Sequence, residues 1–231
     1  MRKKTVIVIL ALTIPVFVIL NLIMGSVSIP VMDVIKILCG NADGENAEVW
    51  SNIIMRTRLP QSVTAMACGA GLSTAGLLMQ TVFRNPLAGP SVLGISSAAS
   101  LGVAFVVLFS GIIGASLAQG LFGNVALTLA AVIGALVVMG VMLYLSNQIK
   151  SNATLLIVGV MIGYIASAIV GVLKYFSSEE DIHTYVIWGL GSFSRVTGGQ
   201  VYLFSAIVAV VLPFTLLLSK MLNILHLSVN T

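Results

Sequence analysis

The chain has 231 residues, 58% of them hydrophobic and only 8% charged, with a formal net charge of +4. Soluble domains carry about 25% charged residues, so a water-soluble globule of this size is excluded. No basic run interleaved with aromatics offers a nucleic-acid interface either. What remains is an all-α membrane protein, a polytopic bundle of apolar helices.

A helix rises about 1.5 Å per residue, so about 20 apolar residues cross a hydrocarbon core about 30 Å thick. Six runs reach that length: Thr5–Met24, Gln61–Val82, Ser91–Ile113, Gly120–Leu145, Ala153–Leu173 and Val201–Ser219, the third and fourth adjoining around Gly114. None of them contains Asp, Glu, Lys, Arg or His. The first follows MRKK and is too long for the apolar part of a cleaved signal, so it is expected to stay as a span.

Between the first and second runs lies a long loop, residues 25–60, with polar turn material (CGNADGENAE) and a final RTRLP. Its Arg56 and Arg58 can anchor a helix start at the interface or offer guanidinium forks to carboxylates of a docking partner. After the second run comes RNPLAGP, starting at Arg84. Asn85-Pro86 and Gly89-Pro90 break both flanking helices, because proline lacks an N–H and restricts the residue before it. The small residues that follow, GISSAAS, suit close helix packing in a membrane.

Ser151, Asn152 and Ala153 form a short turn before the fifth run, where Ser and Asn cap helices well. A second long loop, residues 175–200, starts acidic, continues with an amphipathic stretch at Tyr185–Leu190 and ends in Gly198-Gly199. That stretch reads as a short re-entrant or interfacial helix with Trp188 at headgroup level. Asn21, Gln80 and Tyr164 are polar groups expected to hydrogen-bond between helices.

The loop charges set an orientation. With the N-terminus inside, the inner segments hold Arg2, Lys3, Lys4, Arg84, Lys150 and Lys220 and no acid; all seven acids fall outside. The positive-inside rule therefore places both ends in the cytoplasm.

The chemistry of several classes is missing. There is no GxxxxGK[ST], so the chain binds no nucleotide through a P-loop. An ion-coupled secondary transporter, the alternative reading, would keep an ionisable residue in the membrane, and these spans have none. Ser97 has no histidine base within a span for a protease dyad. Cys39 and Cys68 form no CxxC, His183 and His226 fall on opposite sides of the membrane, and the methionines are scattered; no cofactor or metal site is expected.

RLP at Arg58, the run GAGLSTAGLLMQTVFRNPLAGPSVLGISSAASLG, then TLLIVGVMIGYIASAI and IWGLGSFSRVTGGQ, resemble in order the FecCD-type permeases. These are membrane subunits of ABC importers for ferric siderophores, haem and cobalamin in the bacterial plasma membrane. The resemblance implies a second permease subunit, a dimeric ABC ATPase that binds the ATP, and an extracytoplasmic substrate-binding protein. It implies ten helices, of which six are seen here, and a chain cut at Thr231 before the coupling region, so that independent transport is not expected. It also implies roles for residues. Outer arginines near RLP meet glutamates of the binding protein, which points to Arg58 and its neighbour Arg56, although Gln61 stands where relatives can carry a second arginine. Arg84, Asn85 and Pro86 would face the ATPase side, and Ser151, Asn152 and Ala153 would narrow the cytoplasmic end of the path.

Overall fold

The computed structural model describes residues 3–41, 43–44, 46–109, 121–149, 151–193, 196 and 198–227. Arg2, Glu45, Lys150, Arg195 and Thr231 lie outside the described residues, as do the end of the third apolar run and Gly120 at the start of the fourth. The described secondary structure is helical throughout: α1 (Lys3–Ile23), α2 (Val31–Leu38), α3 (Ala47–Ile53), a π-helical turn (Ile54–Arg58), α4 (Leu59–Phe83), α5 (Ile95–Val107), α6 (Leu121–Gln148), α7 (Asn152–Phe176), α8 (Glu179–Leu190) and α9 (Gly198–Leu227). Five helical stretches among the described residues are long and apolar enough to cross a membrane: Lys4–Ile23, Ala47–Phe83, Val125–Gln148, Asn152–Phe176 and Gly198–Thr215. The protein is an all-α polytopic membrane protein, as its composition requires.

Two expectations change. The third run was expected to span from Ser91, but its described helix, Ile95–Val107, has only 13 residues and rises about 20 Å. The reason is the turn before it. Val92 and Leu93 donate to the Gly89 carbonyl, and Gly94 donates to Ser91, so the chain keeps turning until Gly94. Gly94 has φ +74°, a left-handed conformation that glycine adopts freely.

The second change concerns the first long loop, which is largely helical. Helix runs without a break from Ala47 to Phe83, 37 residues, so Pro60 lies inside it rather than at its start. A proline in a helix removes a hydrogen bond and crowds the carbonyl four residues back, here that of Arg56. The π-helical turn Ile54–Arg58 sits just there, with the Leu59 N–H reaching Ile54 O. Widening the turn at that carbonyl relieves the crowding without ending the helix.

The chain divides into two compact units, Met1–Leu72 with Phe193–Leu217, and Ser73–Ser192 with Leu218–Thr231. The core of the first is Leu22, Ile29, Val34, Ile37 and Ile54, with Trp50 and Leu59 against it. It gathers α2, α3 and the π turn around the C-terminal end of α1.

The second unit has two clusters. Val103, Ala104, Val107, Leu108, Leu127, Val170 and Tyr185 join α5 to α6, α7 and α8. Ala88, Leu93, Met142, Leu155 and Leu156 seat the RNPLAGP turn on α6 and α7. Backbones touch where α5 crosses α6. A Cβ added to Gly102 would overlap the Ala130 carbonyl, and one added to Gly134 would overlap the Ala98 carbonyl. Each helix thus contributes a small residue and a glycine four apart, the pattern that lets membrane helices approach closely.

Candidate functional site

At the C-terminal end of α1 the last carbonyls have no partner within the helix. Arg58 supplies one. Its Nη1 donates to Leu22 O at 2.6 Å and to Ile23 O at 3.1 Å, and its Nη2 donates to Val27 O. The side chain is only 5% exposed. A cation at the negative end of a helix dipole, bonded to three carbonyls, is a stable way to bury charge without an acid. Gly25 makes room for it: a Cβ there would lie 2.7 Å from the guanidinium.

Ser62 Oγ is 2.9 Å from Asn21 Oδ1 and 3.0 Å from Arg58 O, so Asn21 does make the expected bond between helices. Gln80 and Tyr164, expected to do the same, stand exposed. Arg58, expected as a docking residue, turns inward in this structure. Its guanidinium is buried and bonded to its own chain. Two residues apart on a helix lie roughly 200° apart, and Arg56 faces outward, lining an open cleft of about 990 Å³ with Glu48, Ser51, Asn52 and Thr57.

The RNPLAGP turn begins as a helix C-terminus. The Asn85 N–H reaches Gln80 O at 3.2 Å and the Arg84 N–H reaches Thr81 O at 3.4 Å. That pair of bonds defines a Schellman motif with Arg84 as the left-handed residue, φ 50°. Glycine is the usual occupant, since a side chain there costs about 1–2 kcal/mol. Asn85 then closes an Asx turn, its Oδ1 accepting from the Leu87 N–H at 2.9 Å. Pro86 is exposed and Leu87 is 79% exposed, whereas Ala88 is buried. Replacing Arg84 with glycine should raise the folding stability by about 0.5–1 kcal/mol. A lower melting temperature for Arg84→Gly than for the parent would contradict this reading of the backbone.

Ser151 caps α7, its Oγ accepting from the Thr154 N–H at 3.3 Å. Asn152 does something else: its Nδ2 donates to Val82 O at 3.4 Å, in the last turn of α4. The structure so brings the Asn152 turn against the start of the RNPLAGP turn. Ser151, Asn152 and Ala153 are all exposed.

At the other end of α7, α8 begins earlier than its amphipathic stretch suggested. Ser178 caps it, accepting from the Asp181 N–H at 3.2 Å, and Glu179, Glu180 and Asp181 fill its first turn, where the helix dipole favours acids. Tyr185 Oη lies 2.6 Å from Ser100 Oγ on α5, and Lys174 Nζ stands 4.8 Å from the Tyr185 ring centroid. Trp188, expected at headgroup level, packs partly buried against the Val103 cluster. Sequence reasoning missed Ser100, Lys174 and the Arg58 clamp; each pairs groups 31 residues or more apart except Lys174, eleven residues from Tyr185. Among the described residues no group of His, Cys, Asp or Glu could hold a metal ion.

Comparison with known proteins finds similar chains. The chain is 33% identical over 180 residues to the vitamin B12 import system permease protein BtuC of Escherichia coli O17:K52:H18 (strain UMN026 / ExPEC), covering 76% of this chain and 53% of that protein. It is 35% identical over 159 residues to the protein of the same name in Shigella boydii serotype 18, covering 69% and 46%. The chain thus spans about half the length of the curated relatives it matches. A solved structure, described as a metal-chelate type ABC transporter in an inward-facing conformation, superposes with a TM-score of 0.75 at 25% identity, covering 96% of this chain and 65% of that one. The model of the FecCD transport family matches residues 12–231, and the chain belongs to that family.

Proposed function

We propose that the chain is a membrane-spanning permease subunit of an ATP-driven importer that moves a metal chelate, a ferric siderophore, haem or cobalamin, into the cytoplasm. The observation that carries this reading is the family match over residues 12–231, laid on a bundle of long apolar helices. The names of the B12 import relatives and the metal-chelate transporter support the cargo class. ATP hydrolysis belongs to a partner ATPase dimer, a second permease subunit completes the path, and an extracytoplasmic binding protein delivers the ligand.

The N-terminus is placed in the cytoplasm of a bacterial cell, on the strength of the cation distribution. On this reading Arg56, exposed beside its cleft, carries the docking role for acidic residues of the binding protein. The turn Arg84–Asn85–Pro86 faces the ATPase, and Ser151–Asn152–Ala153 narrows the inner end of the path. The Asn152 bond to Val82 supports treating these two turns as one surface.

The test uses liposomes that hold the assembled importer, both permease subunits with the ATPase dimer and the binding protein. Uptake of labelled cobalamin or ferric siderophore should require ATP on the ATPase side. Arg56→Glu should slow binding-protein association about tenfold at low salt, and less at high salt, where the attraction is screened. Uptake driven by an ion gradient without ATP would instead mark a secondary transporter.

A further inference from the structure

We propose that α2 is an interfacial helix, seated in the lipid headgroup layer at the membrane boundary where α1 ends. The observations all lie within one compact unit and concern how the eight residues VMDVIKIL divide around the helix axis.

At about 100° per residue, three separate arcs appear. Val34 and Ile37 make the first, both buried in the cluster with Leu22 and Ile54. Asp33 and Lys36 make the second, next to it. Val31, Met32, Ile35 and Leu38 make the third, an arc about 120° wide, and all four are exposed, Met32 by 65% and Ile35 by 52%. A helix in water has no use for a second apolar arc. A helix lying between protein, water and hydrocarbon needs one face for each.

The level of α2 identifies what covers the third arc. Helix α1 has 21 residues, about 31 Å of rise, which fits a hydrocarbon core about 30 Å thick. Its sides are apolar and exposed along most of its length, with 6% of its window buried, so on the proposed spanning role that exposed surface faces lipid and Ile23 marks the edge of the hydrocarbon. The Arg58 guanidinium then fixes the following chain at that edge, because it holds Leu22 O, Ile23 O and Val27 O together. The Ile29 N–H also returns to Ile23 O, at 3.5 Å.

Helix α2 starts just beyond, and Val34 and Ile37 pack on Leu22 at the same end of α1. The exposed arc is therefore continuous with the lipid-facing surface of α1, through Met24 and Val27, both exposed. Its ligand is the upper acyl and headgroup region of the bilayer, with Lys36 on the polar arc near lipid phosphates.

Site-directed spin labelling of the full chain in liposomes tests this. Nitroxides are placed at Met32→Cys, Ile35→Cys and Lys36→Cys in a Cys39→Ser, Cys68→Ala background. Positions 32 and 35 should relax faster with oxygen, which concentrates in hydrocarbon, and position 36 faster with a water-soluble nickel chelate. Nickel access at position 35 would place that arc in water and overturn the proposal. Shielding of position 35 from both reagents would mean that protein covers it, a second copy or another subunit, and would overturn it equally. Should the Cys-replaced background fail to fold, Ile35→Trp with the native tryptophans retained gives the same answer. Its added fluorescence should be quenched by lipids brominated near the headgroup, and no gain in quenching over the parent would overturn the proposal.

Discussion

Arg58→Leu should lower the folding stability by about 3–5 kcal/mol, because it leaves the carbonyls of Leu22, Ile23 and Val27 without their donor. Leucine fills part of the volume but donates nothing, so the loss is one of polar satisfaction rather than packing. Arg58→Lys should recover only part of it, since one ammonium on a flexible stem cannot span the end of α1 and the Val27 carbonyl together. Thermal unfolding in detergent, followed beside protease cleavage between residues 24 and 30, reads both effects. If Arg58→Leu melted with the parent and resisted cleavage as well, the clamp would contribute nothing to the fold.

The other large effect is expected where α5 meets α6. Gly102→Leu or Gly134→Leu forces a side chain into the facing backbone, and even a methyl group would overlap the Ala130 or Ala98 carbonyl. The helices must separate, which costs their dispersion contacts along the whole crossing, roughly 3 kcal/mol or more. Gly140→Ala on the same helix α6 is the control, because a Cβ there meets nothing within 4 Å. It should leave stability unchanged or raise it by up to about 1 kcal/mol. Equal melting temperatures for Gly102→Leu and Gly140→Ala would refute the close crossing.

The apolar runs were legible because lipid imposes the same demand on every spanning helix, that its backbone be satisfied internally and its surface be apolar. The end of α4 was legible too. Asn85-Pro86 stops a helix by local sterics, and the helix does stop at Phe83. Pro60 misled for a related reason: the same local rule marks a boundary there, yet the π turn absorbs the conflict and the helix continues. Once that helix is known, the opposed directions of Arg56 and Arg58 follow from their spacing. Before it is known, both arginines read alike.

The shortened start of α5 depended on Gly94, whose left-handed backbone is pressed against Gly159 of α7, a neighbour no local pattern reveals. The same holds for Tyr185 with Ser100 and for Asn152 with Val82, where pattern names one partner and only the fold names the other. Helix α2 is the intermediate case. Its spacing of Val31, Val34, Ile35 and Leu38 is a helical period, short enough to be lost beside the polar residues that follow it.

The left-handed arginine at position 84 has a consequence for biosynthesis. A glycine would end α4 at lower conformational cost, but a glycine carries no charge for the insertion machinery to sense. On the proposed orientation, Arg84 is the cation in its hairpin's turn and favours the cytoplasmic side while the flanking segments enter the bilayer, and it does so from a left-handed backbone conformation. Stability of the finished protein and fidelity of its insertion are then opposed at one residue. The Arg84→Gly chain that folds more firmly is also the one that should enter the membrane the wrong way round more often.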